Sequence, residues 1–365
     1  MKVAFILGSL NRGGAESLIL DILKITRLQF IGIHRKGGDY KSDFYNTNHN
    51  FYECNLKKTS LHLYLKTVRN ILKNENVDIV HVHQYIDVLL TKLSIIFTNI
   101  KLVTTKHGYD FKLSFFQKLL VYIGFIISDK VLFVSYAQKD YYLKKYKIKD
   151  SDKYQVVYNG INFEKLDVEP IKLDLPTKHV LTQQGMKLAM VGNFVPGRAQ
   201  NTVCQFANLL KKSGFNFDLY FIGKKLDAEP WRYDNCVRYC EENNLTDCVH
   251  FLGGRGDVPQ ILKKIDAFIY STDHDTFGIA VIEAIAAGVP TFVNDWVVMN
   301  EISHNGQWAT IYKTKDVEDL LNKFMDFIKN VDRYKSKAKE NAIAVRTAYS
   351  IERHIYNIQR IYNSL

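Results

Sequence analysis

Short apolar runs of strand length, each followed by a stretch with helical spacing, recur along this chain, and the series runs twice. The first series reads KVAFILG (2–8), FIGIH (30–34), FYEC (51–54), DIVHVH (78–83), KLVTTKH (101–107), KVLFVS (130–135) and YQVVYN (154–159), with helical patterns near 14–27, 61–74, 86–98 and 114–127. Around 165–182 two prolines and scattered charges break the rhythm, and this stretch is the expected linker. The alternation restarts with KLAMVG (187–192), FDLYFIG (217–223), VHFLG (249–253), AFIYS (267–271) and TFVN (291–294). Helices are expected near 200–212 and 231–243, from 279, and as a tail from Val317. Strand–helix alternation predicts parallel sheets covered on both faces. The expected fold class is therefore α/β, with two Rossmann-like doubly wound domains at 1–165 and 183–346. Such sheets bind ligands at the carboxyl ends of their strands, and a cleft between the domains is the expected place.

Charge divides the two halves. Residues 1–165 carry 25 Lys and Arg against 14 Asp and Glu, which accounts for the whole net charge of +11. A one-sided basic half points to an anionic partner: nucleic acid, an acidic membrane or a phosphorylated substrate. No recognised nucleic-acid module accompanies the charge, so nucleic acid is not expected. The five cysteines are sparse and odd in number, which suits a reducing cytosol. They lack a CxxC pair, so buried thiols are expected rather than zinc ligands. The longest apolar run, LLVYIGFII (119–127), is short of the ~20 residues a spanning helix needs, and MKVAFILGSL has too short an apolar run for a signal peptide.

The stretch HDTFGIAVIEAIAAGVP (274–290) places one carboxylate, Glu283, inside an apolar helix. That costs several kcal/mol unless something bonds to it. Asp275 and Thr276 are candidate caps, Gly278 allows a close backbone approach, and the helix start is an anion site. Asp275 and Glu283 are eight residues apart, or ~12 Å along a helix, about the reach of a nucleotide sugar. A diphosphate on the amides of Thr276, Phe277, Gly278 and Ile279 would bring the ribose diol to Glu283. Equally, Glu283 could bond a buried backbone group or a lysine. On the residues alone both readings stay open.

STDHDTFGIAVIEAIAAGVP resembles the signature of the retaining GT-B glycosyltransferases, specifically glycosyltransferase family 4. Members carry two Glu with seven residues between them, then a small-residue helix and Gly-x-Pro. Here the second is Glu283 and the first is replaced by Asp275, one methylene shorter. The resemblance implies a GT-B fold, a ribose contact for Glu283 and a donor-sugar contact for Asp275. LAMVGNFVPGRAQ (188–200) is similar to the stretch in which an Arg and a Lys grip the diphosphate. Asn193 and Arg198 hold those places, so one cation is lost, while Arg198 keeps bidentate phosphate geometry. GSLNRGGAESLILDIL (8–23) resembles the family's first loop, with Gly13 and Gly14 opening a helix toward phosphate or acceptor. Its G-x4-G-G spacing is not the dinucleotide fingerprint, which disfavours an NAD enzyme. TTKHGYD (104–110) places His107 where the family's histidine reaches the donor sugar. VVYNGIN (156–162) resembles the end of the first domain, and the closing helix, about 347–365, is implied to cross back onto it.

The resemblance thus implies a metal-independent enzyme taking a nucleotide-sugar donor and a glycan or lipid-linked acceptor, with no cofactor. His107, Asp275 and Glu283 are the candidate catalytic residues. A front-face substitution is implied, the leaving phosphate helping to deprotonate the acceptor, and domain closure would exclude water. Two rivals stand beside it: a nucleotide-sugar 2-epimerase and a non-catalytic partner subunit. An Asp-x-Asp metal site at Asp273–Asp275 and a metal between His81 and His83 are weaker alternatives. FKLSFFQKLLVYIGFII (111–127) has two open readings, a helix docking on anionic lipid or a core helix with a solvated end.

Overall fold

The computed structural model describes residues 1–56, 58–168, 175–176 and 185–365. Most of the expected linker, at 169–174 and 177–182, lies outside the described residues, as do residues 183–184. The chain divides into two units, Met1–Gly160 with Ile351–Leu365, and Ile161–Ser350.

Each apolar run of the first series is a strand of one parallel sheet: β1 (Lys2–Leu7), β2 (Gln29–His34), β3 (Asn50–Glu53), β4 (Ile79–Val82), β5 (Lys101–Lys106), β6 (Lys130–Phe133) and β7 (Tyr154–Val156). Their order is β3-β2-β1-β4-β5-β6-β7. Near-continuous burial along β1 and β4 explains why these runs do not alternate with polar residues, since both faces are covered. Phe5 packs in one core with Ile22, Leu132 and Ile358, while its neighbour Ile6 packs in the other with Val68, Val80 and Val82. Ile358 belongs to the closing helix Ile351–Tyr362, which contributes to the first unit's core.

The second sheet holds β8 (Met186–Val191), β9 (Phe217–Ile222), β10 (Val249–Phe251), β11 (Ala267–Tyr270), β12 (Thr291–Asn294) and β13 (Thr310–Tyr312), in the order β10-β9-β8-β11-β12-β13. All its pairings are parallel. The sequence reading omits β13, a three-residue edge strand too short to show a period. It also omits the helix Tyr136–Tyr146, whose Tyr- and Lys-rich pattern buries only Gln138, Tyr142 and Leu143. The helical tail from Val317 is three helices, ending at Lys329, Tyr349 and Tyr362, the last of them the expected closing helix.

Each sheet reverses its strand order once, between β1 and β4 and between β8 and β11. Crevices at the carboxyl ends of such strand pairs are where doubly wound sheets take ligands. The candidate residues fall there. Gly13 and Gly14 follow β1, His107 ends β5, Arg198 lies in the loop after β8, and Asp275 and Glu283 follow β11.

Candidate active site

In the second unit the loops after β8 and β11 are stitched together. Ala199 donates its amide to the Ser271 carbonyl at 3.1 Å, and Asp273 donates its amide to the Gly197 carbonyl at 2.8 Å. The Thr272 hydroxyl adds a bond to the same Gly197 carbonyl at 2.7 Å. At this join the Arg198 guanidinium pairs with Asp275. Tyr270, the last residue of β11, donates its hydroxyl to Asp275 Oδ2 at 2.6 Å, and its ring lies 5.0 Å from the guanidinium carbon. The Thr276 amide donates to Asp275 Oδ1 at 2.8 Å. Burial works to raise the Asp275 pKa, but Arg198, the Tyr270 hydroxyl and the Thr276 amide outweigh it and hold the carboxyl below its ordinary value. Burial likewise opposes the Arg198 charge, and Tyr270 and Asp275 together raise its pKa above the ordinary value. The charged pair is the stable form of this site at any physiological pH.

The helix Ile279–Ala286 begins at Gly278, whose φ of +81° is left-handed. A side chain there would be strained and would stand 2.8 Å from Met299 Cε. This corrects the expected caps: Gly278 is the N-cap and no side chain caps the helix. Asp275 bonds the Thr276 amide instead, so that amide is not available to a phosphate. The Gly278 carbonyl takes the amides of Val281 and Ile282, and those of Ile279 and Ala280 have no partner among the described residues. Phe277 is buried. Ile279, Ala280, Glu283 and the C-cap Ala287 are only partly buried. Their spacing puts them on one stripe of an otherwise enclosed helix, and Glu283 is its only carboxylate.

Asn193 is exposed, and its side-chain oxygen accepts the Lys224 amide at 2.8 Å. The two carboxylates of Asp273–Asp275 face different cations, Lys315 at 3.6 Å and Arg198. All five cysteines are buried and free. Among the described residues no group of three or more His, Cys, Asp or Glu could hold a metal ion.

In the first unit His107 Nε2 is 2.8 Å from His83 Nδ1. His81 stacks on the other side of His83 at 4.4 Å, and is itself bonded to the Tyr362 and Thr105 hydroxyls, both at 2.6 Å. Burial first, then the charges of His354 and Lys106, lowers the His107 pKa to about 3. It is a neutral imidazole at physiological pH. His83 Nε2 is buried with no partner among the described residues. Gly13 caps the helix Gly14–Ile25 without a side-chain bond, and Glu16 in its first turn already sets a carboxylate at that helix start. The sequence reading missed Tyr270 and the His83–His107 bond. Tyr270 looks like one more apolar strand residue, whereas strand alternation in HVH puts His81 and His83 on one sheet face.

Comparison with known proteins matches residues 173–345 to the model of the glycosyl transferases group 1 and residues 35–165 to that of Glycosyltransferase Family 4. The fold is that of Anabaena Alr3699/HepE, crystallised with UDP and glucose, at a TM-score of 0.84 and 16% identity over 100% of both chains. The chain is a GT-B glycosyltransferase. Among curated relatives of this enzyme, an N-acetyl-alpha-D-glucosaminyl L-malate synthase of Bacillus anthracis is 23% identical over 80% of this chain and 76% of the relative. A UDP-Gal:alpha-D-GlcNAc-diphosphoundecaprenol alpha-1,3-galactosyltransferase of Escherichia coli is 23% identical over 71% of this chain and 68% of its own length. No described helix of the glycosyltransferase is long and apolar enough to cross a membrane.

Proposed function

We propose that this glycosyltransferase moves a sugar from a nucleotide-sugar donor to a glycan or lipid-linked acceptor, with retention of anomeric configuration and without a metal ion, in surface polysaccharide assembly. The carrying observation is that a partly buried guanidinium, Arg198, held by Asp275, stands with a helix start and a partly buried carboxylate, Glu283, at the switch point of the second sheet. We assign the donor to this unit and the acceptor to the first. Arg198 with the amides of Ile279 and Ala280 meets the charge that develops on the leaving diphosphate. That is the work a divalent ion does elsewhere. Glu283 accepts from the ribose diol, and neutral His107 hydrogen-bonds the sugar without adding charge.

Proton NMR of UDP-, GDP- and ADP-sugars with EDTA present tests the assignment. One donor should be hydrolysed slowly, releasing its sugar first in the original anomeric form. Release of the inverted anomer would refute retention, and loss of turnover with EDTA would refute metal independence. Conversion of the donor to a 2-epimer would favour the epimerase reading. If no donor binds or reacts, the partner-subunit reading stands.

The lipid-linked acceptor is supported by the surface of the first unit. The helix Phe115–Ile127 buries Val121, Gly124 and Phe125 against the first unit's core and leaves an apolar face outside it. Phe115 and Phe116 are 76% and 75% exposed, and Leu119, Tyr122 and Ile126 continue the stripe. The neighbouring helix Tyr85–Ser94 and the turn after it add exposed Leu93, Ile96 and Phe97. Between Val88 and Ser128 stand five lysines and a single acid, Asp110, which is buried and engaged by Tyr141, Lys145 and Tyr146. An apolar stripe framed by cations and free of exposed carboxylates fits an anionic lipid surface. The protein should float with vesicles containing anionic phospholipid at low salt, and Phe115→Ser with Phe116→Ser should cut the bound fraction about tenfold. Equal recovery of the variant with the vesicles would sink this surface.

A further inference from the structure

The resemblance gives Asp275 a contact with the donor sugar, but both of its oxygens are already engaged within the second unit. Oδ1 takes the Thr276 amide, and Oδ2 takes both the Tyr270 hydroxyl and the Arg198 guanidinium. The shorter arm of Asp, relative to the Glu usual at this position, keeps the carboxylate close to its own loop. Its backbone is fixed as well, because the Trp296 indole donates to the Asp275 carbonyl at 3.1 Å. Arg198 shows the complementary pattern. Its Nη1 is taken by Asp275, while Nε is buried with no partner among the described residues. Nε and Nη2 form the edge of a guanidinium that grips phosphate with two parallel bonds. Gly192 passes beside that edge, and a side chain at Gly192 would stand 3.0 Å from Nε.

We infer that Asp275 and Tyr270 are positioning residues for Arg198, and that they turn its Nε–Nη2 edge toward the donor diphosphate. The inference rests on the donor assignment made above and changes the role of Asp275 within it. Asp275 neutralises the guanidinium before the donor arrives, so the partly buried cation stays oriented. Tyr270 fixes the carboxylate through its hydroxyl and supports the guanidinium with its ring. This compensates in part for Asn193, because a single preorganised arginine does the work of two mobile cations. Binding then needs little rearrangement of the phosphate grip.

Calorimetric titration with UDP and GDP, which carry the diphosphate and no sugar, separates the two roles. Asp275→Asn and Tyr270→Phe should each weaken the nucleoside diphosphate that binds wild type by about tenfold, and the corresponding sugar nucleotide by the same factor. In an Arg198→Ala background neither substitution should weaken it further, because the group they position is gone. Asp275→Glu should recover part of the loss. Unchanged nucleoside diphosphate affinity, with only sugar-nucleotide binding or turnover lost, would restore the sugar-contact role and overturn the inference. Tyr270→Phe removes one hydroxyl and guards against a misfolded Asp275 variant. A wild type that binds no nucleoside diphosphate, or an Arg198→Ala variant that binds it normally, would refute the donor assignment itself.

Discussion

Replacing Glu283 by Ala should lower kcat/KM for the donor about 100-fold while leaving the melting temperature within a degree or two of wild type. The size follows from what a ribose diol offers a carboxylate. Hydrogen bonds to a charged group contribute about 1.5–3 kcal/mol, and each 1.4 kcal/mol is a factor of about ten. Small stability cost follows from position. Glu283 lies on the partly buried stripe of its helix, between neighbours that are enclosed, and Ala is the better helix former. A structural glutamate would behave in the opposite way. Its removal would strand a buried partner, lower the melting temperature, and leave donor affinity in the surviving folded fraction unchanged. Glu283→Gln sharpens the contrast, since it keeps the shape and one acceptor but loses the charge. It should fall between Ala and wild type in donor affinity. If instead both variants melt several degrees lower and bind nucleotide normally, Glu283 serves the fold.

How much of this was legible in the sequence depended on whether a residue's signal was local. Parallel strands covered on both faces announce themselves as unbroken apolar runs, so β1, β4, β8 and β11 could be placed within a residue or two. The edge strand β13 has three residues and no such run. Candidate site residues could be named where a motif carried them, as with Glu283 in its apolar helix and Gly278 at its start. The caps were misassigned because Asp and Thr before a helix usually cap it, whereas here Asp275 is drawn away by Arg198, 77 positions earlier in the chain. No local rule predicts that attraction. Tyr270 was invisible for a related reason: a buried aromatic in a strand reads as core until the partner of its hydroxyl is known. The exposed face of the helix Phe115–Ile127 was undecidable from periodicity, because apolar residues fill both of its faces.

Long-range electrostatics also set the second large effect, at the switch point of the first sheet. Arg35 follows β2, and Asp87 lies in the first turn of the helix Tyr85–Ser94. Arg35 donates from Nε to Asp87 Oδ1 at 2.6 Å and from Nη2 to Oδ2 at 3.3 Å, and the Asp87 side chain is wholly buried. Removing one partner of such a pair typically costs about 3–5 kcal/mol, because the other charge is left buried and uncompensated. Arg35→Ala should therefore cost about that much in chemical denaturation at pH 8. The loss should depend on pH. Burial already raises the Asp87 pKa, and Arg35 only partly offsets it, so without Arg35 the carboxyl rises further. A carboxyl whose folded pKa lies above its unfolded value binds more protons when folded, so stability increases as pH falls through the folded pKa. The Arg35→Ala deficit should shrink from pH 8 toward pH 5. Adding Asp87→Asn removes the stranded charge, and should recover a good part of the stability at pH 8 and flatten the pH slope. A deficit that stays constant with pH, and a double variant no more stable than Arg35→Ala, would mean that the arginine acts through packing of its stem and not through its charge.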